Sequence, residues 1–337
     1  MHTAIPDLVP LWTAILALGI FLYVLLDGFD LGVGMLFGFA RDAASRQLII
    51  NSIAPIWDGN ETWLVLGAMG LLAAFPLVFA ILIPALYFPI LLMLLGLIFR
   101  GTAFELRQRD GANKRFWDNA FCWGSALAGF SQGVVVGAFV QGFQIDGRQF
   151  SGGSLDCFTP FTLMTGMSLL FGYGLLGAGW LILKTDGQLQ LWARRQARRC
   201  LFGVLIAFLV VSVWTPLMDA DVAHRWFSWP DILYLSPVPL CIALLALWEH
   251  RAIGNAASHV TAFVAAVGLF LTAYLGVAIS WWPMVIPHHY TLWQAAAGPG
   301  TQIFLLVGLV FLLPVILMYT AWSYWVFRGK VRADLGY

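Results

Sequence analysis

Apolar residues in this chain neither alternate with polar ones nor keep to one helix face. They run on for around twenty residues, stop at short polar breaks and resume. The runs fall at about 10–39, 50–75, 77–99, 116–142, 158–183, 200–218, 231–248, 259–282 and 301–327. Barrel strands would be about ten residues long and alternating, so the runs predict nine transmembrane helices. Only a tight turn at Phe75-Pro76 separates the second from the third, and Pro237 and Pro239 weaken the seventh. The fold class is all-α and polytopic, with residues 1–337 as a single integral membrane domain.

Composition agrees. Hydrophobic residues make up 61% of the 337 and charged residues 10%, against about 25% charged in a soluble domain. With 18 basic and 17 acidic side chains, the chain lacks the polar surface a water-soluble globule needs. This excludes a cytosolic enzyme, a nucleic-acid binder and a disordered chain. The net charge of +1 is uninformative, but its distribution is not. If the N-terminus is outside, the inner segments collect Arg41, Arg46, Arg100, Arg107, Arg109, Lys114, Arg115, Lys184, Arg194, Arg195, Arg198, Arg199, Arg251, Arg328, Lys330 and Arg332. The outer segments keep only Arg148 and Arg225. Basic residues accumulate on the cytoplasmic side, so the expected topology is N-out, C-in, which an even helix count would spoil. Asp7 is the only charge before the first run, so no basic n-region marks a cleavable signal and that run is expected to stay.

Trp12, Trp117, Trp226, Trp229, Trp281, Trp282, Trp322 and Trp325 stand where aromatic belts are expected. The outer segments at roughly 143–157, 219–230 and 283–300 read as loops that could cap a neighbouring subunit without folding alone. Cys122, Cys157, Cys200 and Cys241 form no C-x-x-C pair and imply no metal or iron–sulfur site. Cys122, Cys200 and Cys241 read as small hydrophobes.

Four acids lie at membrane depth, where each ionised carboxylate costs about 2.5–3.5 kcal/mol. Asp27 and Asp30 sit among Gly28, Gly32 and Gly34, which let another helix approach closely. Their i, i+3 spacing puts them on one helix face. They read either as a polar packing seam or as a hydrated path or subunit contact. Asp58 and Glu61 repeat the spacing in Trp57-Asp58-Gly59-Asn60-Glu61-Thr62-Trp63, near the cytoplasmic start of the second run. There the helix N-terminus favours anions, and Asn60 and Thr62 add hydrogen-bonding capacity. This second pair is the better candidate for conducting protons from the cytoplasm, with a purely structural cluster as the alternative. The fifth and later runs are expected to hold no mid-membrane Asp or Glu.

A haem in the bilayer is commonly held by buried His, sometimes with Met. None of His2, His224, His250, His259, His288 and His289 falls mid-run, and Met69, Met164 and Met318 read as core filler. No haem ligated by this chain is expected. No phosphate-binding or dinucleotide motif occurs. An accessory membrane subunit fits best. A proton-coupled secondary transporter is the rival, weakened because inverted repeats should give matching acids in both halves. An inert membrane scaffold is the third reading.

Four segments resemble subunit II of the cytochrome bd-type quinol oxidases: Asp27–Met35, Asn51–Leu64, Phe99–Glu105 and Tyr319–Val331. They span nearly the whole chain, and the third is similar to the shorter, cyanide-insensitive branch. The resemblance implies two four-helix bundles (about 10–142 and 158–282) plus a peripheral helix at about 301–327. It implies a heterodimer in the bacterial inner membrane with a haem-bearing subunit I that holds two b-type haems and haem d. A small third subunit and a structural quinone in subunit II are also within the family's range. The complex oxidises quinol and reduces O2 to water with cytoplasmic protons. Asp58 matches an acidic position in the family's candidate proton route, flanked by Trp57, Glu61 and Trp63.

Overall fold

The structure, a computed structural model, describes residues 7–109 and 113–331. His2 and Arg332 lie outside the described residues. The elements in chain order are α1 (Val9–Phe37), α2 (Ala43–Asn51), α3 (Trp57–Ala74), α4 (Pro76–Ala85), α5 (Tyr87–Arg109) and α6 (Lys114–Gln141). A hairpin of β1 (Ile145–Asp146) and β2 (Gln149–Phe150) leads to α7 (Pro160–Lys184) and α8 (Gly187–Met218). Then come α9 (Ala220–Phe227), α10 (Asp231–Leu235), α11 (Pro237–Gly254) and α12 (His259–Trp281). A second hairpin, β3 (Met284–Ile286) with β4 (Tyr290–Thr291), and the short α13 (Leu292–Ala295) precede α14 (Pro299–Val326). Among the described residues, eight helices are long and apolar enough to cross a membrane. The protein is a multi-pass, all-α membrane protein.

Proline and amphipathic patterning explain where the elements depart from the apolar runs. The run at 50–75 is not one helix. α2 ends at Asn51, the chain turns through residues 52–56, and α3 begins at Trp57. Pro55 lies in that turn and cannot continue a helix. α3, at 18 residues, spans about 27 Å, and with Asp58 and Glu61 inside it α3 is not among the eight. The run at 77–99 breaks at Leu86, because Pro89 cannot donate to the carbonyl of Ala85. α5 then runs on to Arg109, ten residues past the expected end. α8 begins at Gly187 rather than near 200, because Leu189, Ala193, Ala197, Leu201 and Val204 form a buried stripe at helical spacing. Its charged outer face, Arg195, Arg198 and Arg199, hides that stripe from averaged hydropathy. The segments read as outer loops carry β1–β2, α9, β3–β4 and α13.

α1 packs against α3 and α6, α5 against α6, α7 against α8 and α12, and α11 against α12. The two halves meet where α7 packs against α1 and α6. A side-chain carbon at Gly32 would overlap the carbonyl of Tyr173, and one at Gly177 would overlap the backbone of Gly32 and Val33. Only glycine permits that approach, the role expected for Gly28 and Gly32. Gly28 itself makes room for the Tyr173 ring.

At the end where α1, α5, α7, α11 and α14 finish, basic side chains stitch elements together. Arg46 and Arg107 share Asp118, with Arg107 Nε donating to Asp118 Oδ1 at 2.5 Å. Lys184 donates to the carbonyl of Phe327, and Lys330 to that of Thr185. The opposite end closes over an apolar cluster of Trp12, Phe75, Val78, Ile81, Ile286 and Leu292. Trp12 and Trp281 are buried there rather than standing in a belt. Met69 and Met318, expected as core filler, face outward, at 62% and 63% exposure, because their helices present those faces away from the bundle. Burial pushes the thiol of Cys157, in the segment before α7, above its ordinary range.

Candidate functional site: a buried ion cluster

Arg100 centres the interior of the first half and is fully buried. It was read from sequence as an inner-loop charge. The extension of α5 to Arg109 instead places it well inside the helix, one turn after Gly96, whose lack of a side chain lets α5 meet α6 at Gly124. Its guanidinium donates to Asp27 Oδ1 of α1 at 2.7 Å. Its other terminal nitrogen lies 3.0 Å from Glu61 Oε1 of α3, an ion pair without hydrogen-bond alignment. The Trp57 ring lies 5.8 Å from the guanidinium carbon and stacks on Phe104.

Asp30, also fully buried, accepts a hydrogen bond from Asn60 Nδ2 at 2.7 Å. Asn60 Oδ1 in turn accepts from the hydroxyl of Tyr324 on α14 at 3.0 Å. A cavity of about 10 Å³, the scale of one water, lies beside them, lined among others by Gly59, Asn60, Tyr319, Ser323 and Tyr324. On the other side of the cluster, Tyr173 donates to Gln132 Oε1 and Gln132 Nε2 donates to Tyr23. Tyr23 lies one helical turn before Asp27.

The structure thus brings together Asp27, Asp30, Asn60, Glu61 and Trp57 of the sequence candidates. Trp63 is buried in the same region with its indole N–H unpartnered. Asp58, in the first turn of α3, is exposed and makes no hydrogen bond or ion pair with the cluster, though its charge acts on neighbouring Glu61. It heads an exposed stripe with Thr62, Val65, Met69 and Leu72. Glu61 is the link, with its side chain 27% exposed while it touches Arg100. Sequence reasoning missed Arg100, Gln132, Tyr23, Tyr173 and Tyr324. The unbroken apolar context of Tyr23, Gln132 and Tyr173 was the available signal.

Charge counting defines what the cluster can do. Asp27, Asp30 and part-exposed Glu61 face one cation, Arg100. One oxygen each of Asp27 and Asp30 has no partner. Excess buried carboxylates must be neutralised by protons or reached by water. The cluster meets the surface at Glu61, the one of these three acids that is part-exposed.

The histidines among the described residues lie away from this cluster. His224, His250, His288 and His289 are exposed. His288 is held between Asp219 and Asp221 at 2.8 and 3.2 Å, and His259 is engaged by Gln190. The apolar cavity of about 640 Å³ on α8, lined by Leu209, Val210, Val213, Trp214, Leu217 and Met218, offers no nitrogen ligand from a histidine.

Fold and site define a polytopic helical membrane protein with a buried cluster of acids around one arginine. Residues 8–327 match the model of the family described as cytochrome bd terminal oxidase subunit II, and the chain belongs to that family. It is similar to cytochrome bd-I ubiquinol oxidase subunit 2 of Escherichia coli (strain K12), 29% identical with 96% of this chain and 95% of that one aligned. It is equally similar, at 29%, to cytochrome bd ubiquinol oxidase subunit 2 of Bacillus subtilis (strain 168), with 95% and 96% covered. The fold matches a chain of the bd oxidase structure from Geobacillus thermodenitrificans with TM-score 0.74, 16% identity and 96% and 99% coverage. The chain is therefore a subunit of an oxidoreductase, a haem-containing terminal oxidase, and works with a partner subunit. The transporter reading gives way to this assignment.

Proposed function

We propose that this chain is the non-haem subunit of a quinol:O2 oxidoreductase in the bacterial inner membrane and that it feeds cytoplasmic protons towards the partner's oxygen-reducing haem. The carrying observation is the surplus of buried acids around Arg100, which reaches the surface at Glu61 beside exposed Asp58. Asp58 takes up a proton from the cytoplasmic side, Glu61 receives it, and Arg100 with Asp27 fixes the electrostatics of that exchange. Trp57 and Trp63 wall the site. The two b-type haems and haem d reside on subunit I, where quinol is oxidised. Any quinone on this chain is structural, and a small third subunit is compatible with the exposed α14.

Nine crossings fit this role: α1, α3, α4 continued by α5, α6, α7, α8, α11, α12 and α14. They form two four-helix bundles and one peripheral helix, with the N-terminus out and the basic end in the cytoplasm. Arg100 no longer counts towards that orientation, but the remaining basic residues keep the same bias. The apolar faces shield subunit I from lipid and give O2 an apolar route.

Asp58→Asn in the assembled complex, with haem spectra intact, tests the path. Oxygen consumption should fall and its pH dependence change. Unchanged consumption across the pH range would remove Asp58 from the path, and lost assembly would favour a structural role.

A further inference from the structure

The second half buries one acid that no step above uses. Glu249 was expected to lie outside the seventh run, among segments free of membrane acids. α11 starts with Pro237 in its first turn and continues to Gly254, which draws Glu249 inside. The inward stripe of α11 consists of Ala246, Glu249, Ala252 and Ile253. Glu249 is fully buried and neither carboxyl oxygen has a hydrogen-bond partner.

The elements packed on α11 offer it no counter-charge. On α8, Arg194 is the buried cation, and its terminal nitrogens donate to the carbonyls of Ala252 and Ile253 at 3.0 Å each and of Ala256 at 3.2 Å. Arg195, Arg198 and Arg199 face outward, and Cys200 is half-buried. On α12, His259 is engaged by Gln190 and lies 3.5 Å from Arg194. On α11 itself, His250 and Arg251 are exposed, and Asp231 of α10 is exposed. The inward residues of α12 are Ala262, Ala265, Ala266 and Leu269. An ionised carboxylate cannot persist in such a setting, because nothing replaces its lost hydration.

We infer that Glu249 is a second proton-binding site, held as a neutral carboxylic acid at the junction of α8, α11 and α12 and separate from the Arg100 cluster. Its proton stands in for the missing cation. When that proton leaves, the negative charge can be met from inside only by Arg194, whose Nε is buried without a partner.

Infrared difference spectroscopy on the assembled complex, wild type minus Glu249→Gln, tests this at neutral pH. Glutamine copies the shape and charge of the neutral acid, so the variant should assemble in wild-type yield. The difference should contain the carbonyl band of one protonated carboxyl. Carboxylate bands in its place would overturn the proposal, as would failure of the glutamine variant to assemble. Glu249→Asp keeps an acid in the junction and should shift the protonated-carboxyl band without abolishing it. A carboxylate signature from that variant would count against the dry pocket.

Discussion

The two halves of this chain both bury carboxylates and handle them in opposite ways. In the first half, three acids gather round Arg100, Asn60 ties Asp30 to Tyr324, and Glu61 brings the cluster to the surface. In the second half, Glu249 sits alone among alanines while the nearby cation, Arg194, is committed to helix-end carbonyls. A buried guanidinium can hold charge in place or cap a helix, and its partners decide which. Where it pairs with acids, charge and protons can be exchanged. Where it caps carbonyls, the neighbouring acid must carry its own proton.

The comparison breaks most readily at Arg100. Arg100→Gln leaves Asp27 and Glu61 without their cation, and removing one partner of a buried pair costs about 3–5 kcal/mol. Little assembled complex should survive, measured as yield and thermal unfolding in detergent. Arg194→Gln should cost less, about 1.5–3 kcal/mol, because it removes charge-assisted hydrogen bonds and strands no anion. Equal losses at the two positions would show that the halves do not differ as described. Gly32→Ala probes the seam that joins them. The added carbon must displace the α7 backbone, and overpacking of this kind costs about 1–3 kcal/mol, read as a lower midpoint of thermal unfolding. Tyr324→Phe should have the smallest effect. It removes only the hydroxyl that Asn60 accepts, about 1 kcal/mol, and should leave haem spectra unchanged.

Much of the fold was legible because apolar length is a local property. The limits of α1, α6, α7, α12 and α14 fall within a few residues of the runs that predict them. Errors arose where local averaging conflicts with geometry. The break before α3 depends on Pro55. The inner part of α8 is amphipathic, and the shift of α11 depends on where its prolines let a helix begin. The acids of the first half were visible as charges in apolar sequence. Their cation was not, because Arg100 lies 73 residues from Asp27 and stands where hydropathy falls as though the helix were ending. Glu249 was missed for the same reason, sitting beside His250 and Arg251 at what looked like the edge of a loop. Asp58, favoured from sequence, is the acid that stays outside the cluster, because the turn at residues 52–56 sets which face of α3 points inward.

The central claim is that protons reach the oxidase through Glu61. The direct measurement is oxygen consumption and accompanying proton uptake by the assembled Glu61→Gln complex with its haem spectra intact. The account predicts that both fall together by about tenfold or more, equivalent to about 1.4 kcal/mol in the limiting barrier. Wild-type rates of both in that complex would contradict it.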